Sequence, residues 1–137
     1  MGPKAAKVAT ELLKELGIQD MPVDVRAIAE AKGVRVVAGD LDEDTSGVIV
    51  IKNDQDSIGV NRTHHPNRQR FSIAHELCHY LLHRDYAHVF VGTVHAFVRD
   101  GNSTEGTDTQ EIEANAFAAE LLMPKDIVVR YVRENRV

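Results

Sequence analysis

Three histidines recur at four-residue intervals in the segment Phe71–His83, FSIAHELCHYLLH, and a glutamate directly follows the first of them. His75, Glu76 and His79 form the pattern H-E-x-x-H. In a helix, positions i and i+4 are offset by about 40° and about 6 Å, so the two imidazoles can converge on one metal ion. Nitrogen ligands without a thiolate favour Zn2+. Glu76 lies about 100° further round the helix, where it can act as general base towards a water molecule.

A catalytic zinc site has three protein ligands and an open position, so the pattern requires one further ligand. His83 follows His75 by eight residues, about 12 Å along the helix, which is too far for the same ion. It is either an outer partner of the site or a surface residue. The helix predicted at 110–122 offers Glu113, which borders its apolar face, and Glu111 as the weaker choice. We therefore expect the metal ligands to be His75, His79 and Glu113, and the catalytic residue to be Glu76.

The elements that position these residues follow from the hydrophobic period. Apolar residues at helical spacing predict helices at 4–16, 22–32, 67–84 and 110–122, and a last one near Asp126, its expected N-cap. Short β-branched runs predict strands at 34–37, 47–51 and 57–61, with further strand-like residues between 86 and 98. The sequence therefore predicts an α+β fold in which a small, mostly antiparallel sheet packs against four to five helices.

Length, charge and cysteine content limit which classes of protein this chain can belong to. The 137 residues are 43% hydrophobic, which suits a single domain over 1–137. The net charge is −5, and Lys and Arg are scattered apart from a short cluster of Arg62, Arg68 and Arg70, which disfavours direct binding to nucleic acid. The first residues contain no apolar run long enough for a signal peptide or a membrane span, so we expect a cytoplasmic protein. Cys78 is the only cysteine, which excludes an internal disulfide and a thiolate-rich zinc site.

Two longer segments, RFSIAHELCHYLLH and GTDTQEIEANAFAAELLMP, resemble the ImmA/IrrE family of zinc-dependent peptidase-like proteins. MPVDVRAIAEAKGVRVV and IGVNRTHHPNRQRF extend the resemblance over nearly the whole chain. It implies a zincin-like metallopeptidase core in which His75 and His79 bind zinc, Glu76 is catalytic and Glu113 completes the site. Family members are often encoded beside XRE-type helix-turn-helix repressors and are thought to inactivate them by proteolysis. The resemblance therefore implies a repressor of this kind as the protein substrate.

One position departs from the family pattern. The family usually has glycine directly before the second histidine of the motif, where this chain has Cys78. We expect this cysteine to be a small buried side chain, because free cysteine is among the most buried residue types. A thiol beside a zinc ligand can also compete for the metal or become oxidised, which is the alternative.

The expected reaction is peptide hydrolysis, in which zinc polarises the carbonyl and Glu76 moves a proton from water to the leaving amine. A strand within 89–98 is expected to pair with an extended substrate. Tyr80, His95 and Arg99 are candidates by type for the oxyanion donor, and the sequence does not choose between them. Two alternatives are a metal-stabilised module that sequesters a regulatory partner without cleaving it, and a helix-rich domain without metal.

Overall fold

Five helices and a five-stranded sheet make up the part of the chain that the computed structural model describes. These residues are 4–51, 55–83, 89–91, 94–99 and 108–134, with both strands after residue 83 described by backbone alone. The helices are α1 (Lys4–Glu15), α2 (Val25–Ala31), α3 (Pro66–Leu82), α4 (Asp108–Leu122) and α5 (Lys125–Arg133). The strands are β1 (Val34–Gly39), β2 (Gly47–Ile51), β3 (Asp56–Asn61), β4 (Val89–Val91) and β5 (Val94–Arg99). These elements confirm the predicted α+β class.

The sheet has the strand order β1-β3-β2-β5-β4. β1 pairs with β3 in parallel, whereas the β2–β3, β2–β5 and β4–β5 pairs are antiparallel. A row of buried apolar side chains crosses the sheet where Val36 and Ile49 both face Ile58 in register. The sheet is therefore mostly antiparallel, as predicted, and it offers an apolar face to the helices.

α3 is the central helix of the fold. It packs against the sheet at β2 and β3 and against both α2 and α4. Every residue from Ser72 to Tyr80 is buried, so the middle of the helix is covered on all sides. His75, Glu76 and His79 lie within this covered stretch. Because buried polar groups are costly unless they are partnered, the neighbouring elements must supply those partners.

α4 packs between α1 and α3. Its predicted inward face is confirmed, because Ala114, Phe117, Ala118 and Leu121 are all fully buried. α1 contributes the equally buried Ala5 and Ala9, and small side chains on both helices allow a close approach. This packing brings α4 alongside α3. No helix among the described residues is long and apolar enough to cross a membrane.

Two helix starts differ from the sequence prediction. α2 begins at Val25 rather than at Pro22, because the side chain of Asp24 accepts a hydrogen bond from the Ala27 backbone N–H and caps the helix there. In α5, Pro124 occupies the N-cap position and Asp126 lies in the first turn instead of capping the helix. A carboxylate in the first turn is still favourable, since it faces the positive end of the helix dipole.

Candidate metal centre

Two imidazoles and one carboxylate converge at the contact between α3 and α4. Nε2 of His75 lies 3.2 Å from Nε2 of His79. The two carboxylate oxygens of Glu111 lie 3.1 Å from these nitrogens, Oε1 beside His75 and Oε2 beside His79. The ligand atoms of the three residues all lie within 4.8 Å of one another, which makes the group a candidate metal site.

The spacing of these atoms fits a small tetrahedral ion. Ligands about 2.0–2.1 Å from a tetrahedral zinc are about 3.3 Å from one another. The two imidazole nitrogens are 3.2 Å apart, and each lies 3.1 Å from a carboxylate oxygen of Glu111, so these distances are close to that value. Two histidine nitrogens and one glutamate oxygen are also one of the ligand sets found in catalytic zinc sites. The residues present therefore fit the metal that the sequence predicted.

The structure does not bring Glu113, the predicted third ligand, to the two imidazoles. Glu111 precedes Ala114 and Ala118 by three and seven residues, so it shares the buried face of α4 with them. Glu113 lies about 100° from Ala114 and so beside that face. The 3- and 7-residue spacing is the sequence signal that identifies Glu111. We therefore replace Glu113 by Glu111 in the ligand set proposed below.

Each of the two imidazoles has a further partner on its other ring nitrogen. Nδ1 of His75 lies 3.0 Å from Oδ1 of Asn115. Nδ1 of His79 lies 2.9 Å from Nδ1 of His83, whose Nε2 lies 2.9 Å from Oε1 of Glu113. His83 is thus a buried partner of the site and not a surface residue. The i, i+4 spacing of His79 and His83 was a signal for this contact.

Glu76, the expected general base, is almost completely buried, with 1% of its surface exposed. Its carboxyl group lies against the first residue of β2. A Cβ atom on Gly47 would be 3.0 Å from Cγ and 3.3 Å from Oε2 of Glu76. Real Cβ atoms rarely come this close to a neighbour. The absence of a side chain at Gly47 is therefore what makes room for the glutamate beside the metal ligands.

Of the three candidates for the oxyanion donor, the structure describes the side chain of Tyr80. The hydroxyl of Tyr80 donates a 2.6 Å hydrogen bond to Oδ2 of Asp56 at the start of β3. This bond ties α3 to the sheet and directs the hydroxyl to a carboxylate rather than to the ligand group. The side chains of His95 and Arg99 lie outside the described residues. Sequence reasoning could not separate the three candidates, because the partner of Tyr80 comes from a different element.

Cys78 is a fully buried side chain in the apolar core, as expected. Burial, the largest cause, and the negative charges of Glu113, Glu111 and Glu76 together raise the pKa of its thiol from 9.0 to about 12. The thiol is therefore neutral at physiological pH. A neutral buried thiol is a poor ligand and a poor nucleophile, so the fold disfavours the competing role.

The strand region predicted to receive a substrate forms the edge of the sheet. β4 is an edge strand, and it pairs with residues 94–96 of β5. The other end of β5 is level with Glu76, because Arg99 pairs in register with Gly47. The two edges of the described sheet are β1 and β4. The β4 edge is connected to the candidate base through β5, which pairs directly with the strand that contacts this glutamate.

A protein-family model described as the IrrE N-terminal-like domain, Peptidase M78, matches residues 29–136. The matched range contains α3 and α4 and therefore all members of the ligand group. The match confirms the resemblance seen in the two motifs. No match was found among curated proteins.

Proposed function

This chain belongs to the Peptidase M78 family of IrrE N-terminal-like domains, and on that premise we propose that it is a zinc-dependent endopeptidase. In this proposal His75, His79 and Glu111 bind the metal and Glu76 is the catalytic base. The observation that carries the proposal is the convergence of three ligand atoms within 4.8 Å, two of them from α3, the helix that also holds Glu76, and one from α4. An H-E-x-x-H pattern alone carries less weight, since it recurs on solvated helices.

The protein groups have defined tasks in peptide hydrolysis. When bound, Zn2+ supplies a Lewis acid that polarises the scissile carbonyl and acidifies water. Glu76 accepts the proton of the attacking water and returns it to the amine nitrogen of the leaving product. Its buried position against Gly47 holds the carboxylate in place, which is what orientation of a catalytic group requires.

The number of ligands favours an enzyme over a sequestering module. A structural zinc is closed by four protein ligands, whereas a catalytic zinc keeps one position for water or substrate. In the part of the chain that the structure describes, the group has three members. A structural metal also has no need of Glu76 beside it. Both features support catalysis rather than stabilisation alone.

A protein substrate is supported by apolar surface next to the site. Phe71 lies one turn before His75, with its ring centroid 6.1 Å from the imidazole, and it is 38% exposed. Ile112 directly follows Glu111 and is 65% exposed. These side chains can contact apolar residues of a substrate, and the open sheet edge can pair with its extended backbone. We propose an XRE-type helix-turn-helix repressor as that substrate.

The test is incubation of the zinc-loaded protein with the repressor encoded nearest to its gene, with and without a chelator. Intact mass spectrometry identifies products, and size-exclusion chromatography identifies complexes. We expect chelator-sensitive cleavage into two fragments. A stable complex with an uncut repressor would instead support the sequestering module. If the repressor is neither cleaved nor bound, the proposed substrate is refuted. If the wild type fails to bind zinc when it is offered, the peptidase proposal is refuted.

A further inference from the structure

We infer that α4 sets the tautomers of both metal-binding histidines, through Asn115 for His75 and through Glu113 and His83 for His79. This inference rests on the metal site proposed above. Glu113, Asn115 and His83 are then positioning residues, because they lie outside the ligand group and act on its histidines through hydrogen bonds. The helix that supplies the ligand Glu111 thus also orients the two ligands of α3.

The tautomer of His75 follows from its contact with Asn115. The Oδ1 atom of an amide can only accept a hydrogen bond, so the 3.0 Å contact requires the proton of His75 to be on Nδ1. A neutral imidazole has one N–H, which leaves a lone pair on Nε2. Nε2 is the atom that lies in the ligand group, 3.1 Å from Glu111.

The tautomer of His79 follows from a chain of two contacts. The carboxylate of Glu113 is an acceptor, so Nε2 of His83 must donate to it across 2.9 Å. Neutral His83 then has an accepting Nδ1, and this atom accepts from Nδ1–H of His79 across 2.9 Å. The lone pair of His79 is again left on Nε2. Without Glu113, either nitrogen of His83 could carry the proton and the direction of this chain would be undetermined.

Burial protects the inner contact of this network. The side chains of His79 and His83 are only 2% and 6% exposed, so water cannot readily replace either histidine as the partner of the other. With both tautomers set, two lone pairs and one carboxylate meet at separations of 3.1–3.2 Å. Such an arrangement of acceptors is repulsive until a cation lies between them. The outer partners therefore prepare the site for a metal ion by preventing the histidines from turning their N–H groups into it.

The first experiment compares the zinc affinities of matched variants in competition with a chromogenic chelator. Glu113→Leu, Asn115→Ala and His83→Leu remove a partner, and we expect each to weaken zinc binding by about 10–100-fold. Glu113→Gln and Asn115→Asp keep an acceptor oxygen at the same place and should bind nearly as tightly as the wild type. His83→Asn keeps an acceptor near the former Nδ1 position and should recover part of the loss. Thermal unfolding of each metal-free variant identifies those that lose affinity by unfolding.

The second experiment needs no variant. Two-bond 1H–15N correlation spectra of the zinc-loaded wild type report which nitrogen of each imidazole carries the proton. We expect Nδ1–H for His75 and His79 and Nε2–H for His83. A proton on Nδ1 of His83 would overturn the inference. Unchanged zinc affinity in Glu113→Leu and Asn115→Ala would overturn it as well. Either result would leave the proposed metal site itself intact. A wild type that binds no zinc would overturn the proposed function and this inference together.

Discussion

Glu111 and Glu113 lie two residues apart on α4, and their carboxylates contact different histidines. Glu111 lies 3.1 Å from the Nε2 atoms of both His75 and His79, whereas Glu113 lies 2.9 Å from Nε2 of His83. Residues i and i+2 of a helix point about 200° apart, so the two acids cannot serve the same ion in the same way. Their roles are therefore separable by mutation.

The loss of Glu111 should cost far more metal affinity than the loss of Glu113. Glu111→Ala removes one of three ligands, and we expect zinc to be absent from the purified protein. Glu113→Ala should bind zinc at full stoichiometry but about 10–100-fold more weakly, because only an outer partner is lost. Elemental analysis gives the stoichiometry and chelator competition the affinity. Zinc retained in Glu111→Ala but lost from Glu113→Ala would reverse our assignment.

Glu76→Gln should separate metal binding from catalysis. Glutamine has nearly the same shape but cannot accept the proton of water, so the variant should hold one zinc per chain. Its cleavage rate should fall by about 100–10,000-fold, which is the usual contribution of a general base. Rate measurements on the repressor, paired with metal analysis, provide the check. Unchanged cleavage would exclude Glu76 as the base.

Gly47→Ala should impair the reaction without removing the metal. The new methyl group would lie 3.0 Å from Cγ of Glu76, so the carboxylate must shift. A displacement of about 1 Å of a catalytic group can lower the rate by about 100-fold. Gly39→Ala is the matched control, because a Cβ atom there has no neighbour within 4 Å. Equal turnover numbers for the two variants would show that Glu76 does not depend on the space at Gly47.

Tyr80→Phe should affect stability and leave cleavage unchanged. The variant loses the 2.6 Å hydrogen bond to Asp56, and hydrogen bonds to charged groups contribute about 1.5–3 kcal/mol. Denaturant titration measures the free energy of unfolding, and a repressor-cleavage assay measures the turnover. A large fall in turnover at unchanged stability would make Tyr80 the oxyanion donor after all.

Cys78 should resist alkylation in the folded, metal-free protein. At about pH 8, raising the pKa from 9.0 to about 12 lowers the thiolate fraction by about 1000-fold, and burial further restricts access. Reaction with a chromogenic disulfide should therefore become fast only in guanidinium. Rapid reaction of the native protein would contradict this account.

The same pKa shift affects stability. The folded pKa of Cys78 lies above the unfolded one, so this thiol's contribution to stability is complete below pH 9 and is lost as pH rises from 9 towards 12.

Local geometry explains how much of the site was predictable. His75 and His79 converge because helical hydrogen bonding fixes the relative positions of residues i and i+4 whatever surrounds the helix. The same regularity identified the three strands β1 to β3 and the buried face of α4 at Ala114 and Ala118. The longer motifs identified the family, which the match over residues 29–136 confirms.

The contacts between elements required the tertiary structure. Which acid of α4 meets the histidines of α3 depends on the rotation of one helix against the other, and that rotation is set by side chains packed from both helices and from α1. Glu113 was predicted as the third ligand without knowledge of this rotation, and a turn of about 200° separates it from Glu111, the acid that lies beside the two imidazoles. The partner of Tyr80 and the space at Gly47 likewise come from strands distant in the chain. The sequence by itself thus determined the helix on which His75, Glu76 and His79 share their spacing, because helical geometry is local. Only packing between helices decided which acid of α4 meets the two imidazoles and which residues contact their other ring nitrogens.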